Sequence, residues 1–169
     1  RLGRIARAVA RKLQPWGVNV LAYDPYVTQE QADELAQLVG LDALLKRSHV
    51  VSLHVVITSE TKGMIGEREL NLMKPSAILV NTSRGDAIQE TALIKALNEK
   101  RIKGAALDVF EKEPPGVENP LLHMDNVITT PHGVGWAPEV TESIVRAATG
   151  DCLRALSGED PFYVKDPRV

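Results

Sequence analysis

Cysteine is nearly absent from this chain. Cys152 stands alone among 169 residues, so no internal disulfide and no thiolate metal site can form. That usage fits a reducing cytoplasm. No charge dominates either: the formal net charge is −2 and the lysines and arginines are scattered, which favours neither nucleic acid nor a membrane surface. No apolar stretch reaches membrane-spanning length and no signal peptide is visible. There is no internal repeat, no low-complexity tract and no His/Cys/Asp cluster at metal-ligand spacing. No Ser-His-Asp order stands out, and Ser83 has no nucleophile-elbow pattern around it.

What is present is enough for one domain with a real core, since 44% of residues are hydrophobic and 25% charged. Ile5, Ala6, Val9, Ala10 and Leu13 recur at helical spacing and predict an opening helix that stops near Pro15 and Gly17. A strand over 18–23 ends at Asp24-Pro25. Thr28 starts a second helix, with Gln31 as its capping-box partner. Further helices are expected over 41–47, 67–73, 90–100 and 138–156. Leu93, Ile94 and Leu97 give the helix over 90–100 one apolar face. Strands are expected over 50–56, 77–80, 105–110 and 127–130. Solid apolar strands alternating with helices indicate a parallel sheet covered on both faces. The opening residues read like the interior of a domain, so the native amino terminus is expected elsewhere.

Two features carry chemistry. The strand Ala77-Ile78-Leu79-Val80 runs directly into Asn81-Thr82-Ser83-Arg84-Gly85-Asp86. Open α/β sheets place their ligands at such carboxyl ends, and an arginine there can grip a carboxylate with a planar fork. The alternative is a surface arginine in a turn. The second feature is Arg1-Leu2-Gly3-Arg4-Ile5-Ala6, which sits where a G-x-G-x-x-G/A loop would open the first helix, although Arg1 replaces the first glycine. Gly3 lets the backbone approach a pyrophosphate at the positive end of the helix. Asp24, about 20 positions on, can accept hydrogen bonds from ribose hydroxyls and repel a 2′-phosphate, favouring NAD over NADP. Asp-Pro is also a common turn.

Taken with Val51-Ser52-Leu53-His54, Lys74-Pro75, Ala106-Leu107-Asp108-Val109-Phe110, Glu113-Pro114 and Thr130-Pro131-His132, these segments make the chain resemble the D-isomer-specific 2-hydroxyacid dehydrogenases, in their phosphoglycerate dehydrogenase-like form. The resemblance runs from Gly3 to about Gly158. It implies an α/β, Rossmann-like doubly wound parallel sheet, here lacking its first strand, with the substrate domain absent. Residues 1–157 are then the NAD-binding domain, and 158–169 a tail reaching the missing domain.

The resemblance further implies an NAD-dependent oxidoreductase moving a hydride between nicotinamide and a small D-2-hydroxy acid or its 2-oxo acid. The whole protein would be a cytoplasmic homodimer with no nucleic-acid, membrane or metal partner. By the same matching Arg84 anchors the substrate carboxylate, His132 is the acid–base residue, and Glu113 pairs with the histidine. Glu111 is the neighbouring rival, and the carboxylate directly before proline is preferred. An imidazole suits the acid–base task because its ordinary pKa, about 6.5, lies near working pH.

Gly3, Arg4 and Ile5 would lie under the pyrophosphate, Asp24 on the ribose, and Val55 and Thr82 along the nucleotide. Asp108 would face the nicotinamide amide, or else cap the next turn; His132 and Gly135 would close over the ring. Val56 and Ser59 stand where prolines are usual, which loosens the loop under the adenine. His54 is expected to line the cofactor cleft and His123 to lie on the surface. Trp136 is a wall of the site or a dimer contact, and Trp16 and Cys152 are expected to pack. The alternatives are an NAD-sensing corepressor-like binding protein of the same fold, or a fragment inactive by itself.

Overall fold

A computed structural model describes residues 1–163. The last six residues of the expected tail, 164–169, lie outside the described residues. The chain divides into two compact units, Arg1–Pro131 and His132–Val169.

The first unit opens with α1 (Arg4–Leu13), β1 (Leu21–Ala22), α2 (Gln29–Ala32) and β2 (Gln37–Leu38). Gly17, at φ 68°, turns the chain after α1. The expected capping box starts α2: the Gln31 N–H donates to Thr28 Oγ1 at 3.2 Å, and the Thr28 N–H donates to Gln31 Oε1 at 3.0 Å. There follow α3 (Leu41–Arg47), β3 (Val50–Leu53), α4 (Glu67–Leu72), β4 (Ile78–Asn81), α5 (Glu90–Asn98), β5 (Gly104–Leu107) and β6 (Val127–Thr129). Every strand pair is parallel. β1 pairs with β2, and the other four form one sheet in the order β3-β4-β5-β6. This is the expected Rossmann-like architecture, divided into two parallel pieces.

Two apolar clusters match the two sheets. The larger lies around β3–β6, where Leu79, Leu93, Leu97 and Ile102 are fully buried. Leu93 and Leu97 sit one helical turn apart on α5, the face that the sequence pattern marked. The smaller cluster is Leu2, Ala22, Ala32 and Ala36, a shallow contact built mostly of methyl groups.

The apolar stripe of α1 is largely uncovered. Only Ala10 is buried, whereas Ile5 is 71% exposed and Val9 and Leu13 also reach solvent. Trp16, expected to pack, is 81% exposed, and Cys152 is exposed as well, so both expectations are corrected. Trp16 lies in a short 3₁₀ turn beyond α1, and Cys152 on a solvent-facing side of the last helix.

The second unit holds α6 (Pro138–Leu156), whose bounds match the sequence pattern. Beyond it, the Phe162 and Tyr163 N–H groups donate to the Asp151 carboxylate at 2.8 and 2.9 Å. The Arg154 guanidinium lies 4.1 Å from the Phe162 ring centre. The start of the tail is therefore tied back onto α6. No helix among the described residues is long and apolar enough to cross a membrane.

Candidate active site

The strand β4 ends in a buried asparagine, and that residue shapes the loop carrying Arg84. Asn81 is 0% exposed. Its Oδ1 accepts from the Ser83 N–H at 3.0 Å and the Ser83 hydroxyl at 2.8 Å, while its Nδ2 donates to the Arg84 carbonyl at 2.9 Å. Three hydrogen bonds from one side chain fold Thr82–Arg84 back over the strand end. They leave Thr82 and Arg84 exposed at its tip. The Arg84 guanidinium donates to the Ser83 carbonyl at 2.7 Å, using one of its five donors.

Gly85 sets the back of the same loop. It is buried, and a β-carbon there would fall 1.9 Å from the Phe110 carbonyl carbon and oxygen and 2.4 Å from the Glu111 nitrogen. The Arg84 turn therefore rests directly on the main chain leaving β5. In that segment the Phe110 N–H donates to Glu113 Oε1 at 3.1 Å. Glu90, at the start of α5, steadies the rest of the acidic loop: it accepts from the Glu111 N–H at 3.2 Å and from Asn119 Nδ2 at 2.7 Å. Glu111 and Lys112 are exposed, consistent with a solvated loop.

Asp108 follows β5 and is 2% exposed. Its N–H donates to the Asn81 carbonyl at 3.0 Å, and its Oδ1 accepts the Thr130 hydroxyl at 2.5 Å.

At the other sheet, Asp24 follows β1. Its Oδ2 accepts from the Leu2 N–H at 2.8 Å and its Oδ1 from the Tyr26 N–H at 3.0 Å. The carboxylate is thus aimed by the loop that opens α1. Gly3 is the N-cap of α1, with no side-chain cap, and a β-carbon on it would meet nothing within 4 Å. An uncapped helix start with open space before it, beside an oriented carboxylate, suits a pyrophosphate and a ribose. Arg4 and Ile5 are exposed at that start. Val55 is different: its side chain is buried in the main apolar cluster. His54 is half-buried, with Nε2 3.0 Å from the Ser52 hydroxyl. Burial pushes its pKa down. His123 is exposed, as expected.

In the second unit, His132 and Gly135 are exposed, and His132 has φ 53°, in the left-handed region. Trp136 is also exposed. Among the described residues no group of three His, Cys, Asp or Glu side chains could hold a metal ion.

The loops that carry Arg84 and Glu113 therefore meet at Gly85 and Phe110, and Asp24 is held to the α1 loop. Asn81, Glu90 and Thr130 were not given roles from the sequence. Asn81 and Thr130 stood inside the recognised segments, but the bonds they make are visible only in the fold.

The weight on Asn81 gives a first prediction. In the full-length protein Asn81→Ala leaves two donors and one acceptor without their partner, a loss of about 2–4 kcal/mol. Urea unfolding measures that loss. A variant with native stability would show that the asparagine does not hold the loop.

The family described as D-isomer specific 2-hydroxyacid dehydrogenase, NAD binding domain, matches residues 2–133. The D-3-phosphoglycerate dehydrogenase of Archaeoglobus fulgidus is 43% identical over 158 residues, which cover 88% of this chain and 30% of that protein. Among solved structures, a glyoxylate reductase from Paecilomyes thermophila aligns with a TM-score of 0.90 at 31% identity, covering 99% of this chain and 51% of its own. The D-lactate dehydrogenase of Lactobacillus jensenii, solved with NAD+, aligns with a TM-score of 0.87 at 30% identity, covering 97% and 53%. The chain thus spans about half of these structures and less than a third of the phosphoglycerate dehydrogenase.

Proposed function

Because the chain belongs to the D-isomer specific 2-hydroxyacid dehydrogenases, as their NAD-binding domain, we propose that the protein carrying it is an NAD-dependent oxidoreductase acting on a small D-2-hydroxy acid and its 2-oxo acid. The observation that carries this reading is the contact between two strand-end loops. Gly85 seats the Arg84 turn on the main chain whose Phe110 N–H holds Glu113. A carboxylate-binding cation and a carboxylate thus leave adjacent strands β4 and β5 as one unit.

NAD supplies the hydride acceptor or donor when bound. The side chains supply placement, field and a proton. Arg84 holds the substrate carboxylate, and its positive charge polarises the adjacent C2 carbonyl. His132 gives a proton to the C2 oxygen during reduction and removes it during oxidation. Glu113 is the carboxylate that orients the imidazole. Gly3, Arg4 and Ile5 receive the pyrophosphate, and Asp24 the adenosine ribose. Val55 and Thr82 lie along the nucleotide, Asp108 at the carboxamide, and His132 and Gly135 over the nicotinamide. The domain is taken to be residues 1–157, with 158–169 as an arm toward a substrate domain. A cytoplasmic homodimer is part of the same proposal for the whole protein.

The test is direct. Full-length protein is titrated with NADH, following nicotinamide fluorescence, and then assayed with a panel of small 2-oxo acids such as glyoxylate and pyruvate. Tight NADH binding with no turnover on any of them would remove the enzyme from the proposal.

Asp24 has a measurable share. Its carboxylate accepts two main-chain N–H groups and repels a 2′-phosphate, so Asp24→Ala both loosens the α1 loop and removes the charge barrier. NADH binding should weaken by about tenfold or more, the scale of a lost hydrogen bond to a charged group, while NADPH binding changes little or improves. Dissociation constants for both cofactors check this. A native protein that already prefers NADPH contradicts the assignment.

A further inference from the structure

An aspartate side chain has a soft terminal torsion, so a carboxylate that must present one oxygen to a ligand needs a second anchor. Asp108 has one. Its main chain is fixed to β4 through the Asn81 carbonyl, and its Oδ1 accepts the Thr130 hydroxyl at 2.5 Å. That distance is at the short end for a hydroxyl on a carboxylate, where such bonds are strong. Thr130 is in turn fixed by its own main chain, whose N–H donates to the Leu107 carbonyl at 2.9 Å. Threonine is branched at Cβ and stiff at χ1, so its hydroxyl is delivered in one direction. The result is a polar rail across three neighbouring strand ends: Asn81 at the end of β4, Asp108 after β5, Thr130 after β6.

We propose that Thr130 is a positioning residue for the cofactor: its hydroxyl fixes the Asp108 carboxylate in the orientation that receives the nicotinamide carboxamide N–H. This rests on the assignment of Asp108 to the carboxamide made above. Thr130 touches neither cofactor nor substrate in this scheme; it acts through Asp108. Valine at position 130 keeps the shape and removes the donor, and serine restores the donor with less rigidity.

The experiment uses the full-length protein and two probes, NADH and reduced 3-acetylpyridine adenine dinucleotide, whose methyl ketone replaces the carboxamide and has no N–H. Binding is read by nicotinamide fluorescence, independently of turnover. The native protein is expected to bind NADH more tightly than the analogue. Thr130→Val should weaken NADH by about tenfold, the size of one lost bond to a charged group, and leave the analogue within about twofold. Thr130→Ser should recover most of the NADH affinity, and thermal melting confirms that each variant is folded. Asp108→Asn and Asp108→Ala are measured alongside. If both keep the native preference for NADH, the carboxamide assignment fails, and the role of Thr130 fails with it. If they abolish the preference while Thr130→Val retains it, Asp108 stands and the proposal for Thr130 is overturned. Equal weakening of both probes by Thr130→Val also overturns it, because that marks a general loosening of the fold.

Discussion

Replacing His132 by asparagine in the full-length protein should lower kcat by about 10²–10⁴-fold, the usual contribution of a positioned acid–base group. Asparagine is the informative choice because of the backbone. His132 has φ 53°, a conformation in which histidine, asparagine and aspartate are enriched. Alanine at that position adds about 1 kcal/mol of left-handed strain to the loss of the imidazole. Asparagine accepts the backbone and removes only the titrating ring. The dissociation constant for NADH should move little in the asparagine variant, so the loss falls on the chemical step. A variant that turns over at the native rate would remove His132 from the mechanism, and the chemistry would need a different proton carrier.

Gly85→Ala should be severely damaging for a single methyl group. The added carbon would sit 1.9 Å from the Phe110 carbonyl carbon and oxygen, so main chain must move against main chain. Overpacking of this kind costs about 3 kcal/mol or more. The displaced turn carries Arg84, and the displaced partner carries the N–H that holds Glu113. Misplacing catalytic groups by about 1 Å costs on the order of 100-fold, so kcat/KM should fall by at least that factor in whatever fraction folds. Gly150→Ala gives the contrast. It lies inside α6 with nothing within 4 Å of the new carbon, and should stabilise the helix by about 0.5–1 kcal/mol. Denaturation midpoints of the two variants moving in the same direction would mean that the close approach at Gly85 is not a real constraint.

The sequence made the large sheet and its helices readable because their signals are local. α3 and α6 have the bounds that the apolar spacing marked, and the Thr28–Gln31 capping box is in place. β2 escaped notice: Gln37-Leu38 is two residues long, too short to show an alternating or solid apolar pattern. β1 was expected over six residues and pairs over two, with that short strand. Trp16 was misjudged for a different reason. Its apolar bulk favours burial, but composition does not supply a partner, and it lies exposed in a short 3₁₀ turn beyond α1. The candidate site divides the same way. Arg84, Glu113 and Asp24 announce themselves as charges at strand ends. Asn81 and Thr130 act through partners up to 22 residues away, and no local pattern distinguishes them from ordinary loop residues.

The bond from the Leu2 N–H to the Asp24 carboxylate joins the residue before the α1 start to the end of β1. A dinucleotide laid across Gly3 and Asp24 would therefore meet two surfaces already latched to each other. Little of its binding free energy would go into bringing them into register, which is the advantage of a preorganised site.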